Sequence, residues 1–210
     1  MARPASVHGV VVVDKPGGMT SHDVVARCRR IFGQRQVGHA GTLDPDATGV
    51  LVIGLGDATR LLRWLSESRK VYRGTVAFGT STTTLDAAGA VVEQVAMPVS
   101  RAEFEQVASS FVGDILQIPP MVSSIKIGGR RLHELAREGV EVERPPRPVT
   151  IHRLDVGEFD ASTADAPRVV IDVECSSGTY IRTLAADLGV ALGGVAHLES
   201  LRRLAVGSFT

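Results

Sequence analysis

Apolar residues fill positions 9–13 and stop at Asp14-Lys15-Pro16-Gly17-Gly18, the pattern of a strand feeding a turn. From 20 to 32, Val24, Val25, Cys28, Ile31 and Phe32 recur at helical spacing. Thr20 and Asp23 have capping-box spacing at its start, and Gly33 can end it. Residues 38–49, GHAGTLDPDATG, have no apolar period and read as a loop. Residues 50–55 read as a buried strand. Asp57 is placed to cap a helix with Ala58, Leu61, Leu62 and Leu65 on one face. Residues 71–78 alternate as a strand, with Tyr72, Val76 and Phe78 on one side.

In the second half, Ser100 and Glu103 repeat the capping-box pattern ahead of Phe104, Val107, Ala108, Phe111 and Val112, with Gly113 following. Residues 119–148 are rich in Pro, Gly and Arg around one short amphipathic piece, 132–138, and read as an insertion with its own surface. Residues 169–175 predict a strand, Ser176-Ser177-Gly178 a turn, 180–188 a helix ending at Gly189, and 196–204 a last short helix. The elements interleave without a βαβ rhythm, which favours α+β with a mixed or antiparallel sheet. A doubly wound parallel fold ranks lower, since no GxGxxG joins a strand to a helix and no GxxxxGK[ST] occurs.

At 210 residues and 44% hydrophobic content the chain can form one large domain or two small ones. No apolar run approaches the roughly 20 residues that span a bilayer, and residues 1–13 hold no signal-peptide core. Two cysteines, Cys28 and Cys175, lie far apart and suit a reducing cytoplasm. A formal net charge of +0 argues against a nucleic-acid partner, but the charges are segregated. Basic stretches hold Arg27, Arg29, Arg30 and Arg35; Arg60, Arg63, Arg69, Lys70 and Arg73; and Lys126, Arg130, Arg131, Arg137, Arg144 and Arg147. Acids collect at Asp155, Glu158, Asp160 and Asp165. This is either a basic face in a neutral protein or a set of solvated helix faces.

The six histidines are widely spaced, without HxxxH or HExxH, and none sits near a CxxC. There is no GxSxG elbow and no cofactor fingerprint. An enzyme built on this chain would work without metal or cofactor. The most unusual stretch is His39-Ala40-Gly41-Thr42-Leu43-Asp44-Pro45. Glycine lets a carboxylate loop approach a ligand closely, and Pro45 biases Asp44 towards extended backbone. Taken alone, an Asp-Pro turn is commonly only a turn.

The wider stretch GHAGTLDPDATGVLVIGLGDATR resembles the signature of the TruB family of tRNA pseudouridine synthases. Further matches follow in family order: Asp14-Lys15-Pro16-Gly17-Gly18-Met19-Thr20-Ser21, Lys70-Val71-Tyr72, residues 79–89 with Asp86, Gln117-Ile118-Pro119-Pro120-Met121-Val122-Ser123-Ser124-Ile125-Lys126, Cys175-Ser176-Ser177-Gly178-Thr179-Tyr180-Ile181-Arg182, and Leu201-Arg202-Arg203-Leu204. They run from residue 9 to residue 209.

The resemblance implies the pseudouridine synthase fold over 1–210, with 119–148 as a thumb-like RNA-clamping insertion. It implies isomerisation of uridine 55 in the T-arm loop of tRNA, without cofactor or metal, in the cytoplasm, by a monomer with no obligate protein partner. Asp44 takes the essential catalytic position, and ring attack, sugar attack and proton abstraction all stay open for it. Tyr72 takes the place of the tyrosine stacking on a flipped base, and a stack of that kind is worth about 1–3 kcal/mol. Arg182 takes the place of the arginine beside the aspartate, with Asp86 as the acid that orients it. Tyr180 and Leu201 match residues lining the base pocket, and His39 one that holds the flipped loop. Lys15 and Lys126 match motif lysines, for phosphate contact or for structural support. Two departures stand out. Thr83 and Ala88 replace acids often seen around Asp86, and family members usually continue into a PUA-type RNA-binding domain, expected to be absent or truncated here. The rivals are an inactive RNA-binding chaperone, an aspartate-nucleophile hydrolase, and the same chemistry on another RNA such as guided ribosomal RNA.

Overall fold

The computed structural model of the chain describes residues 7–123 and 125–210, and only the backbone of Lys126, Ile127, Arg131, His133 and Arg137. In chain order the elements are β1 (Gly9–Lys15), α1 (Ser21–Ile31), β2 (Val37–His39), β3 (Thr48–Leu55), a 3₁₀ helix (Gly56–Leu61), α2 (Leu62–Glu67), β4 (Lys70–Phe78), β5 (Thr80–Thr82), β6 (Val91–Gln94), α3 (Arg101–Ser110), β7 (Gly113–Gln117), β8 (Lys126–Ile127), β9 (Arg130–Arg131), α4 (Leu132–Arg137), β10 (Arg147–Asp160), β11 (Arg168–Cys175), α5 (Ile181–Ala191) and β12 (Ala196–Val206). Two compact units divide them: Met1–Arg73 with Glu174–Ser177 and Leu201–Thr210, and Gly74–Val173 with Gly178–Ser200.

β3 is the centre of the first unit. β1 pairs antiparallel along one edge, from Gly9↔Leu55 to Lys15↔Gly49. The other edge takes β2, antiparallel from Val37↔Leu55 to His39↔Ile53, and β12, parallel at Arg202↔Thr48 and Arg203↔Gly49. With both faces covered, β3 is apolar on both. Leu51, Ile53 and Leu55 pack with Val37 and with Val24, Val25 and Cys28 of α1. Val50 and Val52 pack with Ala40, Leu62 and Val206. Each fully buried aliphatic side chain here contributes about 1.5–3 kcal/mol. α1 starts as its sequence predicts: Thr20 caps Asp23 N–H and the Asp23 carboxylate returns to Thr20 N–H. Ile31, its last residue, lies outside the core cluster and is 76% exposed. At Gly49, φ is +100° and an added Cβ would overlap the Arg203 backbone, so only glycine lets β3 and β12 lie this close.

Asp57 does not cap a helix. The chain after β3 turns first as a 3₁₀ helix without a side-chain cap, and the Asp57 carboxylate instead lies 3.0 Å from His8 Nδ1. That tighter winding rotates Leu61 off the apolar face, leaving it 58% exposed while Leu62 is buried.

In the second unit β10 pairs antiparallel with β7, from Arg147↔Gln117 to Ile151↔Gly113. α3 carries its predicted capping box between Ser100 and Glu103 and buries Phe104 and Ala108. Phe104 meets Phe78 edge-on at 5.7 Å and 71°. Val169, Ile171 and Val173 of β11 are buried at alternate positions, the period of a strand. β5–β6 and β8–β9 are two-stranded hairpins, and α4 occupies the amphipathic piece of the 119–148 segment. α5 does not end at Gly189 but runs to Ala191; a Cβ on Gly189 would come within 2.5 Å of Ala196 N, so the glycine serves close packing instead of termination.

Residues 196–204 are strand β12, not a helix. Ala, Leu, Glu and Arg are good helix formers, and they misled the local reading. Ala196 and Leu198, then Arg203, Ala205 and Val206, are the buried positions, and strand pairing, with β3 at Arg202 and Arg203, decides the conformation. Strands β2, β5, β6, β7, β8, β9 and β10 carry no strong local signal, and most of β2 and the first residues of β3 fall inside 38–49, which reads from the sequence as a loop. The class is α+β as expected; among the described strand pairs only β12 on β3 is parallel. Among the described residues no helix is long and apolar enough to cross a membrane.

Candidate active site

The loop between β2 and β3 carries Asp44, and buried polar side chains grip the backbone on both sides of it. Arg203 is 1% exposed. Its Nη2 donates to Gly41 O at 3.2 Å, Nη1 to Thr42 O at 3.4 Å and Nε to Val50 O at 2.7 Å. Ser21 Oγ accepts from Leu43 N–H at 2.9 Å and donates to Leu43 O at 3.2 Å. Lys15 Nζ donates to Pro45 O at 2.8 Å, and also to Pro16 O at 2.9 Å and Met19 O at 2.7 Å. Asp44 O accepts from Ala47 N–H at 3.2 Å, closing a turn over Pro45. The carboxylate therefore stands half-exposed on a backbone with little freedom.

The surroundings are cationic. Burial pushes the Lys15 ammonium below its usual pKa, against the pull of Asp46 and Asp44. Burial also lowers Lys70 to about 8, helped by the nearby Arg203 cation, with Nζ donating to Ser66 O and Ser68 O at 2.7 and 2.8 Å. Tyr72 is 7% exposed, and burial pushes its phenol up while the Arg203 guanidinium beside it opposes the rise. Gly41 borders this group: a Cβ there would be in ordinary contact, 3.5 Å from Arg203 Nη1 and 3.6 Å from Lys70 Cε. His39 is held below its usual pKa, first by burial, so its ring is neutral at pH 7. It meets the His22 ring edge-on at 5.4 Å.

A second cluster lies in the second unit. Arg182 is buried, its Nη1 3.5 Å from the Asp86 carboxylate. Nη1 also donates to Thr84 O at 3.0 Å and Nη2 to Val122 O at 2.8 Å. Asp86 is itself held: Oδ1 accepts from Thr84 Oγ1 at 2.5 Å and from Ala88 N–H at 3.1 Å. The positions where acids were expected thus contribute differently, Ala88 through its main chain and Thr83 through an Oγ1 that accepts from Ala90 N–H. Leu85, just before Asp86, has φ of 62°, a left-handed conformation that costs a residue with a Cβ about 1–2 kcal/mol. Gln117, 1% exposed, mimics a strand neighbour for Tyr180, accepting from its N–H at 3.0 Å and donating to its O at 3.2 Å.

Of the nine residues singled out from sequence, Lys15, His39, Asp44, Tyr72 and Leu201 belong to the first unit and Asp86, Tyr180 and Arg182 to the second. The Lys126 side chain is outside the described residues, as is Ser124 of the same motif. Lys15, with three carbonyl acceptors and no exposure, is placed for support and not for phosphate. Lys70, counted in a basic surface stretch, is buried. Sequence reasoning did not single out Arg203, Lys70, Ser21 or Gln117. Their acceptors are mostly main-chain carbonyls far away in the chain, which no local pattern reveals. Among the described residues no group of three or more His, Cys, Asp and Glu could hold a metal ion. What the arrangement offers chemically is a rigidly mounted carboxylate among cations, and a guanidinium held by the Asp86 carboxylate and the Thr84 and Val122 carbonyls.

Residues 29–181 match the family described as TruB family pseudouridylate synthase (N terminal domain). The chain is 52% identical over 210 residues to tRNA pseudouridine synthase B of Mycobacteroides abscessus, covering 100% of this chain and 70% of that protein. It is 48% identical to that of Heliobacterium modesticaldum, over 99% of this chain and 67% of the relative. Among solved structures it resembles a chain of a Cbf5-Nop10-Gar1 complex at TM-score 0.72 and 29% identity, covering 100% of this chain and 56% of that one. It also resembles a chain of an H/ACA RNP bound to a substrate RNA containing 2'-deoxyuridine, at TM-score 0.69 and 30% identity, covering 96% and 48%. The chain thus spans about half the length of those structural relatives.

Proposed function

Because the chain belongs to the TruB family of pseudouridylate synthases, we propose that it converts uridine 55 in the T-arm loop of cytoplasmic tRNA to pseudouridine, with Asp44 as the catalytic carboxylate. The observation that carries the role of Asp44 is the immobilisation of its loop by Arg203, Ser21 and Lys15. A catalytic group must keep its geometry through turnover, and a turn of merely structural purpose needs no three buried polar anchors.

The uridine must leave the folded loop to be reached, at a cost of a few kcal/mol that the pocket recovers. Tyr72 supplies a stacking face for the flipped base, with Tyr180 and Leu201 as further pocket walls. His39, neutral at working pH, can stack on an unpaired base without adding charge. Arg182, oriented by Asp86, supplies a fixed positive charge for an anionic partner in the reaction. The base is detached, turned and rejoined through carbon 5, so no atom is gained or lost and no cofactor is consumed. The 119–148 segment, with Arg130 and Arg144 among its cations, is proposed as the clamp on the RNA. Guided modification of another RNA is the second reading, supported by the likeness to H/ACA complexes. The higher identity to the tRNA enzymes favours tRNA.

The test is pseudouridine formation on an unmodified T-arm stem-loop, mapped chemically at each uridine. Product at the one position supports the proposal. Binding without product would favour an RNA chaperone, and product only on a guided RNA would favour the second reading.

A further inference from the structure

Arg203 is a buried cation at the one point where the catalytic loop, β3 and Tyr72 meet, and nothing in the chemistry of base isomerisation requires a charge at that depth. We infer that Arg203 is a positioning residue, whose guanidinium sets the placement of Asp44 by holding the two carbonyls that lead into it. The inference rests on the proposed role of Asp44.

Several observations converge on it. All three guanidinium nitrogens are used on main-chain carbonyls, and two of these, Gly41 O and Thr42 O, lie immediately ahead of Leu43 and Asp44. The third, Val50 O, belongs to the buried strand β3, so the loop is referenced to the most rigid element of the unit. The backbone of Arg203 is itself locked against Gly49, where no Cβ fits. Gly41, whose carbonyl the guanidinium holds, has φ of +95°, a backbone conformation that glycine adopts freely. Tyr72 lies beside the same guanidinium, which opposes the rise of its phenol pKa. A strand position needed only for stability is served at least as well by an apolar side chain, because burying a guanidinium is costly. A planar fork reaching three fixed acceptors does what neither an apolar residue nor lysine can do. Its neighbour Arg202 has no such geometry: it is exposed and pairs with Asp14 at 2.9 Å on the surface.

The experiment measures kcat and KM for pseudouridine formation on the T-arm stem-loop with the full chain, for wild type, Arg203→Lys, Arg203→Met and the control Arg202→Gln, with thermal unfolding of each. Arg203→Met is expected to lower kcat by about 100-fold or more and Arg203→Lys by about 10-fold or more, both with KM within about threefold of wild type, since a single ammonium cannot reach three carbonyls. Arg202→Gln is expected to stay within about twofold in kcat. If Arg203→Met does not fold, Arg203→Lys, which keeps the charge and most of the stem, decides. An Arg203→Lys enzyme with kcat within threefold of wild type overturns the inference, as does a loss that falls on KM while kcat holds. A wild-type chain that leaves every uridine unchanged overturns the proposed function itself, and the role of Arg203 falls with it.

Discussion

Replacing Lys15 by methionine keeps the length of the side chain and removes one thing, the ammonium that serves Pro16 O, Met19 O and Pro45 O at 2.7–2.9 Å. The Lys15 side chain is fully buried, whereas Pro16 and Pro45, which carry two of the carbonyls, are exposed. Three hydrogen bonds from a charged donor are worth about 1.5–3 kcal/mol each, or about 4.5–9 kcal/mol together. Methionine also removes the burial of a charge, which the lowered pKa of Lys15 marks as unfavourable, and that returns several kcal/mol. The balance is a loss of about 3 kcal/mol. For a chain of this size each kcal/mol moves Tm by about 2–4 °C, so calorimetry at pH 7 should show a fall of about 6–12 °C. Because Pro45 follows Asp44, the loosened loop should also lower kcat, with RNA affinity little changed. A Tm within about 2 °C of wild type would refute the reasoning, since it would mean that the ammonium supports nothing the fold needs.

Lys70 makes a pH prediction. Its folded pKa is about 8 against 10.5 unfolded, so the unfolded chain binds more protons between those values and stability rises with pH across that window. The gain reaches at most about 3 kcal/mol, and Lys70→Met should flatten it in urea titrations run from pH 7.5 to 10.5; an unchanged slope contradicts the assignment. Asp86→Asn keeps the shape of the carboxyl but removes the charge facing Arg182, and single-turnover rates should fall about 30–100-fold, whereas a rate within threefold would show that Arg182 needs no carboxylate. Gly49→Ala adds a Cβ where φ is +100° and the Arg203 backbone is in the way, and should cost about 3 kcal/mol or more in urea midpoint; a neutral effect would show that β3 and β12 can separate freely.

How far the chain could be read in advance depends on the range of the interaction. Both capping boxes, at Thr20 and Ser100, form as spelled, because every partner is within three residues. β3 was legible as a continuous apolar run, the mark of a strand covered on both faces. Residues 196–204 were misread because their helix-forming composition is overruled by pairing along β3, which no local window contains. Asp57 failed as a cap because its partner, His8, is 49 positions away. The site divides the same way. The loop of Asp44 was visible from its glycines and Pro45, and the family motifs supplied Tyr72, Asp86 and Arg182. Arg203 passed as one member of an Arg-Arg pair, although Arg202 points to the surface and Arg203 is buried, a difference that strand alternation produces and that composition hides. Lys70 reads as surface charge in the sequence, and for Lys15 phosphate contact and structural support stay open there; the acceptors of both are backbone carbonyls.

The central claim is that Asp44 carries the reaction, and the most direct measurement is turnover by Asp44→Asn on the T-arm stem-loop beside its RNA affinity. The account predicts no detectable pseudouridine, with Kd within about threefold of wild type, because the amide keeps the shape and the loop anchors but loses the charge. An Asp44→Asn enzyme that keeps even a few percent of the wild-type rate would contradict it.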